Sequence, residues 1–192
     1  MNRLAVIYHS GHGHTAHIAD HVAEGAKEVP NTEVHVIKAE DLTGQPDELV
    51  KYDGYLFGSP TYLGGVSGTF KSFMDATGGL WRTQQLKGKL AAGFTVSSLP
   101  AGDKQSTLVS LFVFCMQHGM IWVGNPILPE QHRGIPYDEA ANRLGSWSSW
   151  HRPVILHRPI RSSAATSRRQ GCSGGISRKH CTASSWRNDG GD

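Results

Sequence analysis

Leu4-Ala5-Val6-Ile7-Tyr8-His9-Ser10-Gly11-His12-Gly13-His14-Thr15 is the stretch that decides how this chain folds. Its first five residues form an apolar run without alternation, which reads as a strand buried on both faces. The run gives way to a glycine-spaced turn and then to a helical pattern over 15–28, where Ile18, Val22 and Ala26 recur at four-residue steps. A buried strand, a glycine turn and a helix make the opening half of a parallel β-α-β unit. Backbone N–H groups at such a helix start, with the hydroxyls of Ser10 and Thr15, form an anion site. Gly11, Gly13 and Ala16 also fit the Gly-x-Gly-x-x-Ala form of the dinucleotide fingerprint, with Glu40 available as its acidic residue. The bracketing hydroxyls suit a terminal monophosphate better than a pyrophosphate. No Walker A motif is present.

The rest of the chain repeats this alternation. Strands are expected at 33–38, 54–58, 89–96 and 120–123, the third of them stopped by Ser59-Pro60. Helices are expected at 68–77 and 104–118, with one helical turn at 47–51. The fold class that follows is α/β, an open doubly wound sheet of five parallel strands with right-handed crossovers. In such sheets ligands bind outside the carboxyl ends of the strands.

Two further loops lie at that edge. Ser59-Pro60-Thr61-Tyr62-Leu63-Gly64-Gly65 combines a small rigid turn, an aromatic residue and glycines. Such a loop suits a flat ring read along its edge by backbone groups, although an ordinary strand exit with a surface tyrosine has the same composition. Ser97-Ser98-Leu99-Pro100-Ala101-Gly102-Asp103 ends the fourth strand, and Asp103 is placed to cap the next helix.

Composition narrows the function further. The 192 residues carry 19 Lys and Arg against 16 Asp and Glu, a formal charge of +3, but the balance is uneven. Residues 1–150 hold 11 basic and 14 acidic residues, whereas 151–192 hold 8 and 2. The folded body is therefore slightly acidic, which argues against a nucleic-acid partner. Cys115, Cys172 and Cys181 form no disulfide framework and fit a reducing, cytoplasmic setting. The longest apolar stretch, near 108–116, is too short to span a membrane. His14, His17 and His21 share a helix face at a spacing that can bind zinc, but no further ligand is near. A solvated face is the reading, and no metal is expected.

Several motifs in order resemble one family. Tyr8-His9-Ser10-Gly11-His12-Gly13-His14-Thr15, Gly58-Ser59-Pro60-Thr61-Tyr62-Leu63-Gly64, Phe73-Met74-Asp75, Thr77-Gly78-Gly79-Leu80-Trp81 and Gln117-His118-Gly119-Met120 are similar to those of the tryptophan-repressor-binding-protein family. Its members are flavodoxin-like NAD(P)H:quinone oxidoreductases, and the resemblance covers about residues 1–148. It implies that Ser10, Gly11, His12, Gly13, His14 and Thr15 hold the phosphate of FMN. It implies that Pro60, Thr61, Tyr62, Leu63 and Gly64 line the flavin ring, and that Ser97, Ser98 and Gly102 meet its polar edge. His118 would sit over the flavin as the catalytic hydrogen-bond or proton donor, often from another subunit. Trp81 would flank the substrate and His12 the nicotinamide. The implied activity is hydride transfer from NADPH or NADH to FMN and two-electron reduction of a quinone, in a homo-oligomer, dimer or tetramer. The alternatives are a flavodoxin-type electron carrier without turnover of its own, or a truncated product without function.

The pattern ends near Ser148. Residues 149–192 form a basic Ser/Arg-rich tail, with no acidic residue between Glu139 and Asp189. Apart from the short run 153–156, no helical or strand period survives. In the family the chain continues to a final amphipathic helix that covers one sheet face beside the first helix. Nothing in 149–192 can play that part, so this helix is expected to be missing. The tail reads as a frameshifted frame, as a disordered basic extension or as a nucleic-acid-binding arm.

Overall fold

The computed structural model describes residues 1–98, 103–125 and Gly134. Among the described residues there are six strands: β1 (Asn2–Tyr8), β2 (Thr32–Lys38), β3 (Gly54–Tyr62), β4 (Gly65–Val66), β5 (Leu90–Val96) and β6 (Ile121–Trp122). Five of them form a parallel sheet in the order β2-β1-β3-β5-β6, and β4 folds back antiparallel onto β3. The helices are α1 (His14–Lys27), α2 (Ala39–Leu42), α3 (Gly68–Ala76), α4 (Gly78–Thr83) and α5 (Lys104–Gln117), with a 3-10 turn at Pro46–Lys51.

Strand alternation sorts the core into two layers. Ala5, Ile7, Tyr55, Phe57 and Ala91 join Phe70, Phe73, Leu108, Leu111 and Phe114 on the face covered by α3 and α5. Val6, Leu56, Ala92 and Phe94 join Ile18, Ala19, Val22 and Ala23 of α1 on the other. On the α5 face, Gly93 lets the helix come close. A Cβ there would lie 2.9 Å from Trp122 and 3.1 Å from Leu111. On the α1 face, Leu4, Leu56, Leu90, Ala92 and Val123 line an apolar trench of about 470 Å³ beside the end of α1.

Two details differ from the sequence reading. First, β3 does not stop at Ser59-Pro60. Those residues pair with Thr95 and Val96 of β5, and the strand runs on to Tyr62. The proline is tolerated because β1 has already ended opposite Gly58, leaving β3 with an open edge on that side. The extension is completed by a two-residue hairpin. Leu63 and Gly64 both take positive φ, 49° and 79°, as a turn matched to strand twist requires. Second, Asp103 stands at the start of α5 but makes no side-chain cap. Its backbone is left-handed, at φ 54° and ψ 23°, which turns the carboxylate away from the first helical N–H groups. The helical segments α2 and α4 were not separately expected. Both are too short for their apolar residues to show a helical period.

Candidate functional site

The carboxyl edge of the sheet gathers the first two loops. Ser10–Gly13 leaves β1 and enters α1 through Gly13, whose φ of 84° is open to glycine alone at little cost. No side chain caps α1 and no acidic residue lies in its first turn. Its first backbone N–H groups are therefore available to an anion. Ser10 Oγ is buried and has no hydrogen-bond partner among the described residues. An orphaned hydroxyl at an uncapped helix start is what a phosphate oxygen would complete, so the residues present fit a flavin phosphate. Thr15 is 2% exposed and stands in the first turn of α1.

The second loop reaches the first directly. A Cβ on Gly11 would stand 2.6 Å from the Tyr62 hydroxyl, so a side chain there would displace Tyr62. Tyr62 and Leu63 project from the hairpin and are exposed, which leaves an aromatic ring and an apolar tip free to pack on a flat partner. Pro60 is buried within β3. Beneath them, Thr61 Oγ1 lies 2.8 Å from Thr95 Oγ1 and donates to Thr107 Oγ1 at 2.8 Å. Thr95 and Thr107 are buried and tie the second loop to β5 and α5. Nothing in the sequence marked them, because hydroxyls 34 and 46 residues away carry no local signal. Ser59 acts similarly, its Oγ accepting from the Ser67 N–H, while Ser67 Oγ caps α3 at the Phe70 N–H.

In the third loop Ser97 and Ser98 follow β5 at the same edge, Ser98 exposed. Gly102 lies outside the described residues.

His118 and Trp81 are placed differently. His118 ends α5 three residues before Ile121, which pairs with Leu90 at the amino end of β5. Seven residues of β5 separate that end from the loops, about 20 Å along the strand. Trp81 is held beside it, its indole N–H donating to Gln117 Oε1 at 3.1 Å. Within one copy of the chain neither residue meets the loops.

His118 is hydrogen-bonded within its own chain. Thr77 Oγ1 spends its only proton on the Met74 carbonyl at 2.7 Å, so it accepts from His118 Nε2 at 2.9 Å. Nδ1 is then a bare acceptor, without a partner among the described residues. Burial lowers the imidazole pKa, which favours the neutral ring. The ring is 2% exposed, and its Nε2 is engaged with Thr77.

The lowered pKa has a sign that can be checked. The unfolded imidazole takes up a proton more readily than the folded one, so stability falls as pH drops below about 6.5. His118→Phe should flatten that slope. Thr77→Val strands the buried Nε2–H and should cost about 1–3 kcal/mol at pH 8, measured by urea unfolding. A cost near zero would show that Thr77 and His118 are not bonded.

Elsewhere, His9 Nδ1 lies 3.2 Å from Glu40 Oε2, so Glu40 is engaged with this histidine. Cys115 is a buried free thiol whose pKa burial pushes up, which makes it inert core. Among the described residues no group of three or more His, Cys, Asp or Glu is arranged to hold a metal. No helix of the described residues is long and apolar enough to cross a membrane.

Known proteins share this architecture. Residues 5–118 match a flavodoxin domain. An Archaeoglobus fulgidus protein named NAD(P)H dehydrogenase (quinone) is 39% identical, the match covering 74% of this chain and 86% of that protein. An Acidithiobacillus ferrooxidans protein of the same name is 33% identical, with 77% and 86% covered. A crystal structure described as a flavodoxin, WrbA-like protein from Agrobacterium tumefaciens is 39% identical and superposes with a TM-score of 0.56, covering 64% of this chain and 77% of that one.

Proposed function

The chain belongs to the flavodoxin-like family of NAD(P)H:quinone oxidoreductases, and from that premise we propose that it binds FMN at the carboxyl edge of its sheet and uses it to reduce a quinone. The observation that carries the reading is Ser10 Oγ, buried and unpartnered at the uncapped start of α1. When bound, the flavin supplies the redox chemistry, taking a hydride from NADPH or NADH and passing two electrons to the acceptor.

The protein's part is to bind and orient. Ser10, Gly11, His12, Gly13, His14 and Thr15 would surround the phosphate with backbone N–H groups and the hydroxyls of Ser10 and Thr15. Pro60, Thr61, Tyr62, Leu63 and Gly64 would present the hairpin to the ring, held by the Thr61–Thr95–Thr107 hydroxyls. Ser97, Ser98 and Gly102 would meet its polar edge. His12 would also stand near the nicotinamide.

His118 and Trp81 enter the site only if a second copy brings its amino edge to the loops of the first. We therefore propose a homo-oligomer, dimer or tetramer, in which Trp81 flanks the acceptor. His118 would then stand near the acceptor as its hydrogen-bond or proton donor. We assign the cofactor domain to residues 1–148 and leave 149–192 outside it. The buried thiol of Cys115 and the sparse cysteines support a cytoplasmic setting.

Anaerobic mixing tests the reading. The purified chain loaded with FMN should lose its visible flavin absorbance on addition of NADPH or NADH and recover it on addition of a quinone. A bound flavin that neither nucleotide bleaches would point to the electron-carrier alternative.

A further inference from the structure

We propose that the outer face of α5 is the surface by which two copies of this chain pair antiparallel, and that this pairing carries Trp81 of each copy to the loops of the other. The proposal rests on the flavin reading and adds which surface completes its site.

The composition of the helix is the first argument. The outer side of α1 carries His17, Asp20, His21 and Glu24, and that of α3 carries Lys71, Ser72 and Asp75, as water-facing helices do. α5 has no charged residue from Gln105 to Gln117. Leu108, Leu111, Phe114 and Cys115 are buried against the core, whereas Val109, Phe112, Val113 and Met116 are 37% to 48% exposed. Their steps of three and four make one stripe along the helix. A helix that is apolar all round is a buried helix, yet in the single chain this stripe stands open to water.

Position is the second. The 14 residues of α5 span about 21 Å, close to the gap between Trp81 and the loops within one copy. One end of the helix adjoins the second loop, since a Cβ on Gly64 would lie 4.0 Å from that of Asp103. The other end holds Trp81 through Gln117. Two α5 helices packed antiparallel turn the Trp81 end of one toward the hairpin end of the other. The partner's Trp81 then approaches Leu63, an apolar side chain fully exposed at the hairpin tip. Parallel packing would gather both Trp81 residues at one end and leave both sites open.

Charge sets the direction. Arg82, next to Trp81, and Asp103, at the start of α5, are exposed, and their side chains make no hydrogen bond or ion pair among the described residues. Antiparallel packing brings each Arg82 toward the partner's Asp103 and lays each helix start beside a helix end. Exposed pairs of this kind supply orientation more than strength, and the apolar stripe supplies the strength.

The centre of the stripe sets Val109 against the partner's Met116, which gives the test. Sedimentation of the full chain loaded with FMN should show a pair or a multiple of pairs. Val109→Glu and Met116→Lys, each alone, should halve the mass of the particle. The double variant should restore it, because opposite charges then face each other across the antiparallel contact. In parallel packing like charges would meet, and the double variant would stay dissociated. Val109→Glu should keep its FMN affinity, because each copy's loops are its own. Its KM for a quinone should rise about tenfold, the loss of one aromatic contact. A monomeric parent, a Val109→Glu variant that stays paired, a double variant that stays dissociated or an unchanged KM would overturn the proposal and leave the flavin reading standing. Failure of the parent to bind FMN would defeat both, whatever its mass.

Discussion

Ser10→Ala is expected to weaken FMN binding about tenfold to a hundredfold while leaving the cofactor-free protein as stable as before, or slightly more so. The two effects have one cause. Ser10 Oγ is buried without a partner in the cofactor-free chain, so its removal relieves an unsatisfied polar group. When a phosphate is bound, the same hydroxyl would donate to a charged oxygen, an interaction worth about 1.5–3 kcal/mol. Riboflavin, which lacks the phosphate, should bind the variant as it binds the parent. Flavin titration and urea unfolding of the apoprotein measure both halves. An unchanged FMN affinity would remove Ser10 from the site.

Phe57→Ala should cost about 3–5 kcal/mol, the largest loss expected from a single core position. Phe57 is fully buried in the middle of the central strand. Its ring centroid lies 5.5 Å from that of Tyr55, 5.4 Å from Phe114, and 6.4 Å from both Phe70 and Phe73. Truncation empties the point where β3, α3 and α5 meet. A domain is held by only about 5–15 kcal/mol in total. Val113→Ala, on the outer side of α5, is the control and should cost about 1 kcal/mol or less. Urea unfolding of the two variants compares them, and a Phe57→Ala cost near that of the control would show that the aromatic cluster is loosely packed.

Much of the fold was legible because its signals are local. Leu4–Tyr8 is apolar throughout since it lies between two strands and under two layers, and the structure places it there. The spacing of Ile18, Val22 and Ala26 projects one buried face of α1. The end of β3 was misread because Ser59-Pro60 carries a strong breaking signal, and only the early end of β1 makes a proline harmless there. The cap assigned to Asp103 failed for a similar reason. Residue type suggests a cap, but backbone conformation decides whether the side chain reaches.

The amino-acid sequence by itself determined the alternation of elements, the parallel sheet and the glycine loop at the start of α1, since each depends on residues a few positions apart. Tertiary structure alone decided which of the candidate residues meet. It brought Tyr62 over Gly11 and joined Thr61 to Thr95 and Thr107. It set His118 and Trp81 at the far edge, because a helix that returns from the carboxyl edge must end at the amino edge. It also joined His118 to Thr77 and Thr77 to the Met74 carbonyl, partners 41 and 3 residues apart.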